Sequence, residues 1–122
     1  MAKKVLVIED YHATAEMLTN ILELKGYEVA VAYDGERGLK KAASWKPDLI
    51  LLDVMMPEMS GLEVCRKLKD DPKTAKIPVV IVSVRVAEED TRKGKEAGAV
   101  DYLPKPFDPP DLISKVEKIL KA

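Results

Sequence analysis

The sequence predicts an α/β fold: a doubly wound, five-stranded parallel sheet with five helices on its two faces. Three observations carry that expectation. Short apolar, often β-branched runs alternate with helical patterns of about 10 to 14 residues, the signature of βαβ units. The run Leu49-Ile50-Leu51-Leu52 is apolar at every position, as in a strand buried on both faces. Most of these runs stop at a polar residue, which in a parallel sheet collects polar chemistry along one edge.

Val5-Leu6-Val7-Ile8 is the first strand and ends at Glu9-Asp10. A helical pattern runs on through Lys25, with Met17, Leu18, Ile21 and Leu22 on its apolar stripe, and Gly26 sits where a C-cap belongs. Val29-Ala30-Val31-Ala32 is the second strand, closed by Tyr33-Asp34-Gly35. Glu36 to Ser44 predicts a helix whose inner face is small (Leu39, Ala42, Ala43), stopped by Pro47. The third strand reaches Asp53, and a loop punctuated by Pro57 and Gly61 leads into a helix marked by Leu62, Val64, Cys65 and Leu68. Val79-Val80-Ile81-Val82 is the fourth strand, ending at Ser83. A polar helix spans about Ala87 to Ala97, with a poor apolar stripe of Ala87, Thr91, Gly94 and Ala97. The fifth strand is short, near Asp101-Tyr102-Leu103, and leads to Pro104-Lys105-Pro106. For the last helix Asp108 is the expected N-cap and Pro109 the first helical residue, with Leu112, Ile113, Val116, Ile119 and Leu120 as its stripe.

At 122 residues the chain predicts one domain, 1–122, with no repeat, linker or low-complexity segment. A net charge of −1 gives no electrostatic footprint for nucleic acid and no polybasic membrane patch. Only Val5 to Ile8 come after the basic start, which is too short for a signal peptide, and no run approaches the roughly 20 apolar residues of a membrane span. The single cysteine, Cys65, excludes an internal disulfide and fits a reducing, cytoplasmic compartment. Cys65 itself lies on an apolar stripe and is expected in the core.

Glu9, Asp10, Asp53, Ser83 and Lys105 are therefore expected to converge from four strands. Each has a plainer reading taken singly. Glu9-Asp10 could cap the next helix, Asp53 could be a turn residue, Ser83 a small strand-end hydroxyl, and Lys105 a solvated loop lysine. Together they mean more. Three clustered carboxylates repel and raise one another's pKa, and a hard divalent cation such as Mg²⁺ relieves that while leaving room for phosphate oxygens. A lysine and a hydroxyl suit the remaining oxygens of a phosphoryl group. Carboxylates also act as nucleophiles that form acyl phosphates, so the pattern points to phosphoryl chemistry on Asp53.

On Glu9-Asp10, Asp53 followed by Met56-Pro57 and Gly61, Ser83, Tyr102 and Lys105-Pro106, the chain resembles the receiver domain of bacterial two-component response regulators, the single-domain chemotaxis type in particular. The resemblance runs from Lys4 to Leu120. It implies a flavodoxin-like sheet in strand order 2-1-3-4-5. It implies that Asp53 accepts a phosphoryl group from a sensor histidine kinase, a phosphotransfer protein or a small donor such as acetyl phosphate. Asp10 and Asp53 would bind Mg²⁺ directly, Glu9 mainly through a water, and the backbone carbonyl of Met55 would add a ligand. Lys105 would pair with the phosphoryl oxygens, and its bond to Pro106 would be cis. Ser83 and Tyr102 would then move, altering the surface of the fourth helix, fifth strand and fifth helix that a downstream protein reads. Such a domain catalyses only its own phosphorylation and dephosphorylation, so it is an enzyme only loosely.

Met55 offers no polar group to orient a water, and Arg85 is placed to shield the site, so slow loss of the phosphoryl group is expected. His12 is expected as an exposed first-turn residue and Trp45 as packing. The first expectation is a phosphorylatable switch without its own output domain, and the second is a receiver belonging to a longer regulator that binds DNA or carries an enzyme. A phosphatase of the haloacid-dehalogenase type would want an aspartate where Met55 stands. No G-x-G-x-x-G or G-x-x-x-x-G-K-[ST] supports a nucleotide-binding module.

Overall fold

The computed structural model describes residues 2–56, 58–84 and 87–121. Elements run β1 (Lys4–Ile8), α1 (His12–Leu24), β2 (Glu28–Ala32), α2 (Gly35–Trp45), β3 (Leu49–Asp53), α3 (Gly61–Asp70), β4 (Val79–Ser83), α4 (Glu88–Glu96), β5 (Asp101–Pro104) and α5 (Pro109–Leu120). All strand pairs are parallel, and their order is β2-β1-β3-β4-β5. This is the doubly wound, flavodoxin-like arrangement, with its topological switch at β1 and β3.

The period-2 geometry of the strands divides the core in two. Val5, Val7, Leu49, Leu51, Val80, Val82 and Leu103 face one side, where Ala15, Leu18 and Leu22 of α1 and Leu112, Ile113 and Val116 of α5 cover them. Leu6, Ile8, Ile50, Leu52, Val79, Ile81 and Tyr102 face the other, beneath Ala42 of α2 and Val64, Cys65 and Leu68 of α3. Cys65 is buried and free, as expected. Burying an aliphatic side chain is worth about 1.5–3 kcal/mol, so each face is a substantial core in its own right.

Local chemistry sets the helix ends, with some departures from expectation. The Asp34 carboxylate accepts from Arg37 N at 2.7 Å and caps α2, and Ser60 Oγ accepts from Glu63 N at 3.3 Å at the start of α3. Asp108 stands at the N-cap of α5, before Pro109, but makes no side-chain cap bond. Tyr11, not Glu9 or Asp10, occupies the N-cap of α1, and no side chain caps that helix. The inner face of α2 is Gly35, Gly38 and Ala42, while Leu39 and Ala43 are only half-buried. The cause is proximity: a Cβ at Gly38 would lie 2.6 Å from Ile8 Cδ1, so α2 rests directly on β1. Trp45 is half-buried at the edge where the strands begin, flanked by the ammonium groups of Lys4 and Lys41 at 5.1 and 5.3 Å from its ring.

α4 is the least anchored helix. Gly94 is its only buried residue, lying against Ile81 and Tyr102, and its other positions are charged or small. Little apolar area is lost to water there, so local opening needs little energy. Amide protons of residues 88–96 should exchange about tenfold or more faster than those buried in α5. Equal protection of the two helices in native-state hydrogen exchange would contradict this.

Candidate functional site

Because every strand points the same way, the residues following β1, β3, β4 and β5 meet at one edge. Glu9, Asp10 and Asp53 each place a carboxylate oxygen within 4.8 Å of the others. Glu9 is almost wholly buried and Asp53 nearly so, while Asp10 is half-exposed. Ser83, at the end of β4, is fully buried, and its carbonyl accepts from Lys105 N at 2.8 Å. That bond carries the chain from β5 back over the site, and Lys105-Pro106 is cis.

Lys105 Nζ donates to Glu9 Oε1 at 2.7 Å and lies 3.8 Å from Asp53 Oδ2. The ammonium therefore stands closer to Glu9 than to Asp53. Burial and the adjoining Asp53 push the Glu9 carboxyl up to about 7, with Lys105 pulling the other way. On the far side of Glu9, Oε2 accepts from Tyr11 N at 3.3 Å. Asp53 Oδ1 accepts from Met55 N at 3.1 Å, the Asx-type contact of a turn residue, and this fixes the carboxylate's orientation. The turn reading of Asp53 and its place in the cluster both hold.

Gly61 matters more to the site than its role as loop punctuation suggested. Its N–H donates to Val54 O at 2.9 Å, and a Cβ there would lie 2.5 Å from Val54 Cα and closer still to the Asp53 carbonyl. The start of α3 thus presses on the backbone that presents Asp53. Pro57 and Arg85, to which the sequence assigned a turn and a shield, lie outside the described residues. Tyr102 is buried on β5 against Gly94 of α4, and Met55 is half-exposed beside the site. His12 is exposed, as expected, but its ring stacks on Tyr33 with centroids 4.1 Å apart and planes at 21°. Nothing in the sequence spacing paired those two residues. The loop after β2 also reaches this edge, where Tyr33 stands beside Asp34, the cap of α2.

The donor set suits a hard divalent cation. It is three carboxylates with no sulfur or imidazole among them, one of them partly open to solvent, next to a single lysine. Fold and site together define a class: parallel α/β domains with an acidic, cation-competent pocket at the strand ends. Within that class, the sequence model of the response regulator receiver domain matches residues 5–117, and the chain belongs to that family.

Its relatives agree. Over 121 residues it is 45% identical to the response regulator PleD of Caulobacter vibrioides, spanning 99% of this chain and 27% of that one. With the alkaline phosphatase synthesis transcriptional regulatory protein PhoP of Bacillus subtilis it shares 42% identity, over 99% of this chain and 50% of that one. The chain thus spans a quarter to a half of the length of these relatives. Among solved structures, chemotaxis protein CheY4 of Vibrio cholerae superposes with a TM-score of 0.94 at 32% identity, covering 98% of this chain and 100% of the other. The receiver domain of the Francisella response regulator 1452 does so with a TM-score of 0.90 at 32% identity, over 98% and 97%.

Proposed function

We propose that residues 1–122 act as one receiver unit of two-component signalling, accepting a phosphoryl group on Asp53 from a sensor histidine kinase or phosphotransfer protein. The observation that carries this reading is the position of Lys105, whose ammonium reaches both Glu9 and Asp53 at the mouth of the acidic pocket. Glu9, Asp10, Asp53 and the Met55 backbone carbonyl would hold Mg²⁺. When bound, the ion supplies positive charge that offsets the carboxylates and the incoming phosphoryl oxygens.

The chain's own residues do the rest. Met55 N–H holds Asp53 Oδ1, keeping the carboxylate presented to the donor. An Asp53 oxygen forms the new bond to phosphorus as the bond to the donor's imidazole nitrogen breaks, and the nitrogen keeps the electron pair. Lys105 then turns from Glu9 to the phosphoryl oxygens, and the Ser83 hydroxyl donates to another of them. The modification adds about −1.5 to −2 charges and three acceptor oxygens. Tyr102 follows Ser83 inward, and the α4-β5-α5 surface changes for a downstream protein. α4 is suited to that part because it is weakly held. Coupling of this kind is worth about 1–3 kcal/mol, a shift of populations. The unit catalyses only its own phosphorylation and dephosphorylation, in a cytoplasmic setting, and makes no direct contact with nucleic acid or membrane. No helix among the described residues is long and apolar enough to cross a membrane.

Intact mass after incubation with acetyl phosphate and Mg²⁺ tests the reading. The wild type should gain one phosphoryl adduct and the Asp53→Asn variant none. An adduct on both, or on neither, overturns the proposal.

A further inference from the structure

The apolar stripe of α1 is wider than the core requires. Ala15, Leu18 and Leu22 are buried against the sheet, yet Met17, Ile21 and Leu24 form a second stripe at spacings of four and three. Met17 is 45% exposed and Leu24 87%, the most exposed large apolar side chain among the described residues. α1 and α5 cover the same face of the sheet and run in the same direction, so both end at the edge where the strands begin. Between them lies a groove of about 910 Å³. That is at the upper end of the roughly 300–1,000 Å³ typical of small-molecule sites. Ile21 and Leu24 line one wall, and Pro109, Pro110 and Ile113 line the other. Along α5, from Pro109 to Lys121, the groove is roughly 18 Å long.

The two ends of the groove differ chemically. At the start of α5, Pro109 and Pro110 carry no N–H, and the next two N–H groups, of Asp111 and Leu112, donate to the Asp108 carbonyl. That end is apolar. At the other end stand Lys25, Lys118 and Lys121, and Lys3 adjoins them in the recess beyond Lys121. Among the described residues none of these four ammonium groups is in an ion pair. The C-termini of α1 and α5 supply about half a negative charge each and Glu117 one more, which leaves a surplus of about two positive charges. Lysines that served only to offset the helix dipoles would leave no such surplus. We propose that this groove binds a single-chain amphiphilic anion, a long-chain fatty acid. Its carboxylate lies among the lysines, and its chain runs over Ile21, Leu24 and Ile113 to the two prolines. The lysines stand at the opposite edge of the sheet from Asp53, so the proposal is independent of the reading of that residue. A second copy of this chain is a poor occupant, because two-fold pairing of the groove would set its lysines against their own copies. A bilayer surface meets the exposed lysines but leaves a concave groove unfilled.

The probe is monomeric dodecanoate, titrated into the wild type by calorimetry and by amide chemical shifts. Saturable binding at one site is expected, with shifts centred on residues 21–25 and 109–121. Leu24→Glu should weaken it about tenfold or more, and so should the double variant Lys118→Glu, Lys121→Glu. Dodecyltrimethylammonium, which has the same chain and the opposite charge, should bind the wild type about tenfold or more weakly than dodecanoate does. Absence of saturable binding, equal affinity for the two amphiphiles, or indifference to both variants overturns the proposal. Binding to phosphatidylglycerol vesicles without binding of monomeric dodecanoate assigns the patch to a membrane surface. A dimer that Leu24→Glu dissociates assigns it to a second copy of this chain. Either result overturns the proposal. If Leu24→Glu fails to melt cooperatively, Leu24→Gln is held to the same criterion.

Discussion

Lys105→Met should be almost harmless to folding in mildly acidic solution and increasingly damaging above neutrality. Lys105 is the partner of a carboxylate that is almost wholly buried, and removing one member of such a pair typically costs about 3–5 kcal/mol. Glu9 has an escape, because its carboxyl already sits near 7 and can take up a proton. A raised folded-state pKa gives stability that is complete below the unfolded value of 4.5 and is lost as pH rises through the folded one. In the wild type that loss ends at about pH 7. Without the lysine, whose effect is to lower the value, it continues upward at about 1.4 kcal/mol per pH unit. Urea unfolding in EDTA should therefore show the two proteins close at about pH 5.5 and separated by up to about 2 kcal/mol at about pH 8.5. Adding Glu9→Gln should abolish the growth of the difference with pH. A difference that is constant across the range would show that the Glu9–Lys105 pair does not govern it.

Gly61→Ala should cost about 1–3 kcal/mol, far more than a single added methyl suggests. The new Cβ would meet the Asp53 carbonyl and Val54 Cα, both backbone, so neither can swing aside. Relief requires moving the start of α3 or the end of β3, and the second of these misplaces the Asp53 carboxylate. Stability by urea unfolding and the rate of labelling by acetyl phosphate should fall together. A stable variant with wild-type labelling would mean that the strand end tolerates the shift.

Much of the fold is legible in the amino-acid sequence, for physical reasons. Buried parallel strands must be apolar at every position, so Leu49 to Leu52 and Val79 to Val82 announce themselves, and the first polar residue after each marks the edge. All ten elements can be placed from such runs and the stripes between them. Pairing within the site is less legible. That Lys105 bonds Glu9 more closely than Asp53 depends on a loop returning from β5, which no local pattern records. The pattern of α2 suggests Leu39, Ala42 and Ala43 on its inner face; Ala42 is buried there and Leu39 packs half-buried against the core, but Gly35 and Gly38 give no sign of their place, because the sequence does not show how near Ile8 lies to Gly38.

The division of the core by strand parity has a wider consequence. Alternate positions along each strand answer to different helices, and the sheet lies between the two interiors. The residues beneath α1 and α5 form a contact cluster separate from the one beneath α2 and α3. A repacked interior therefore bears its direct cost on one face, whereas a switch that involves α4, β5 and α5 draws on both faces at once.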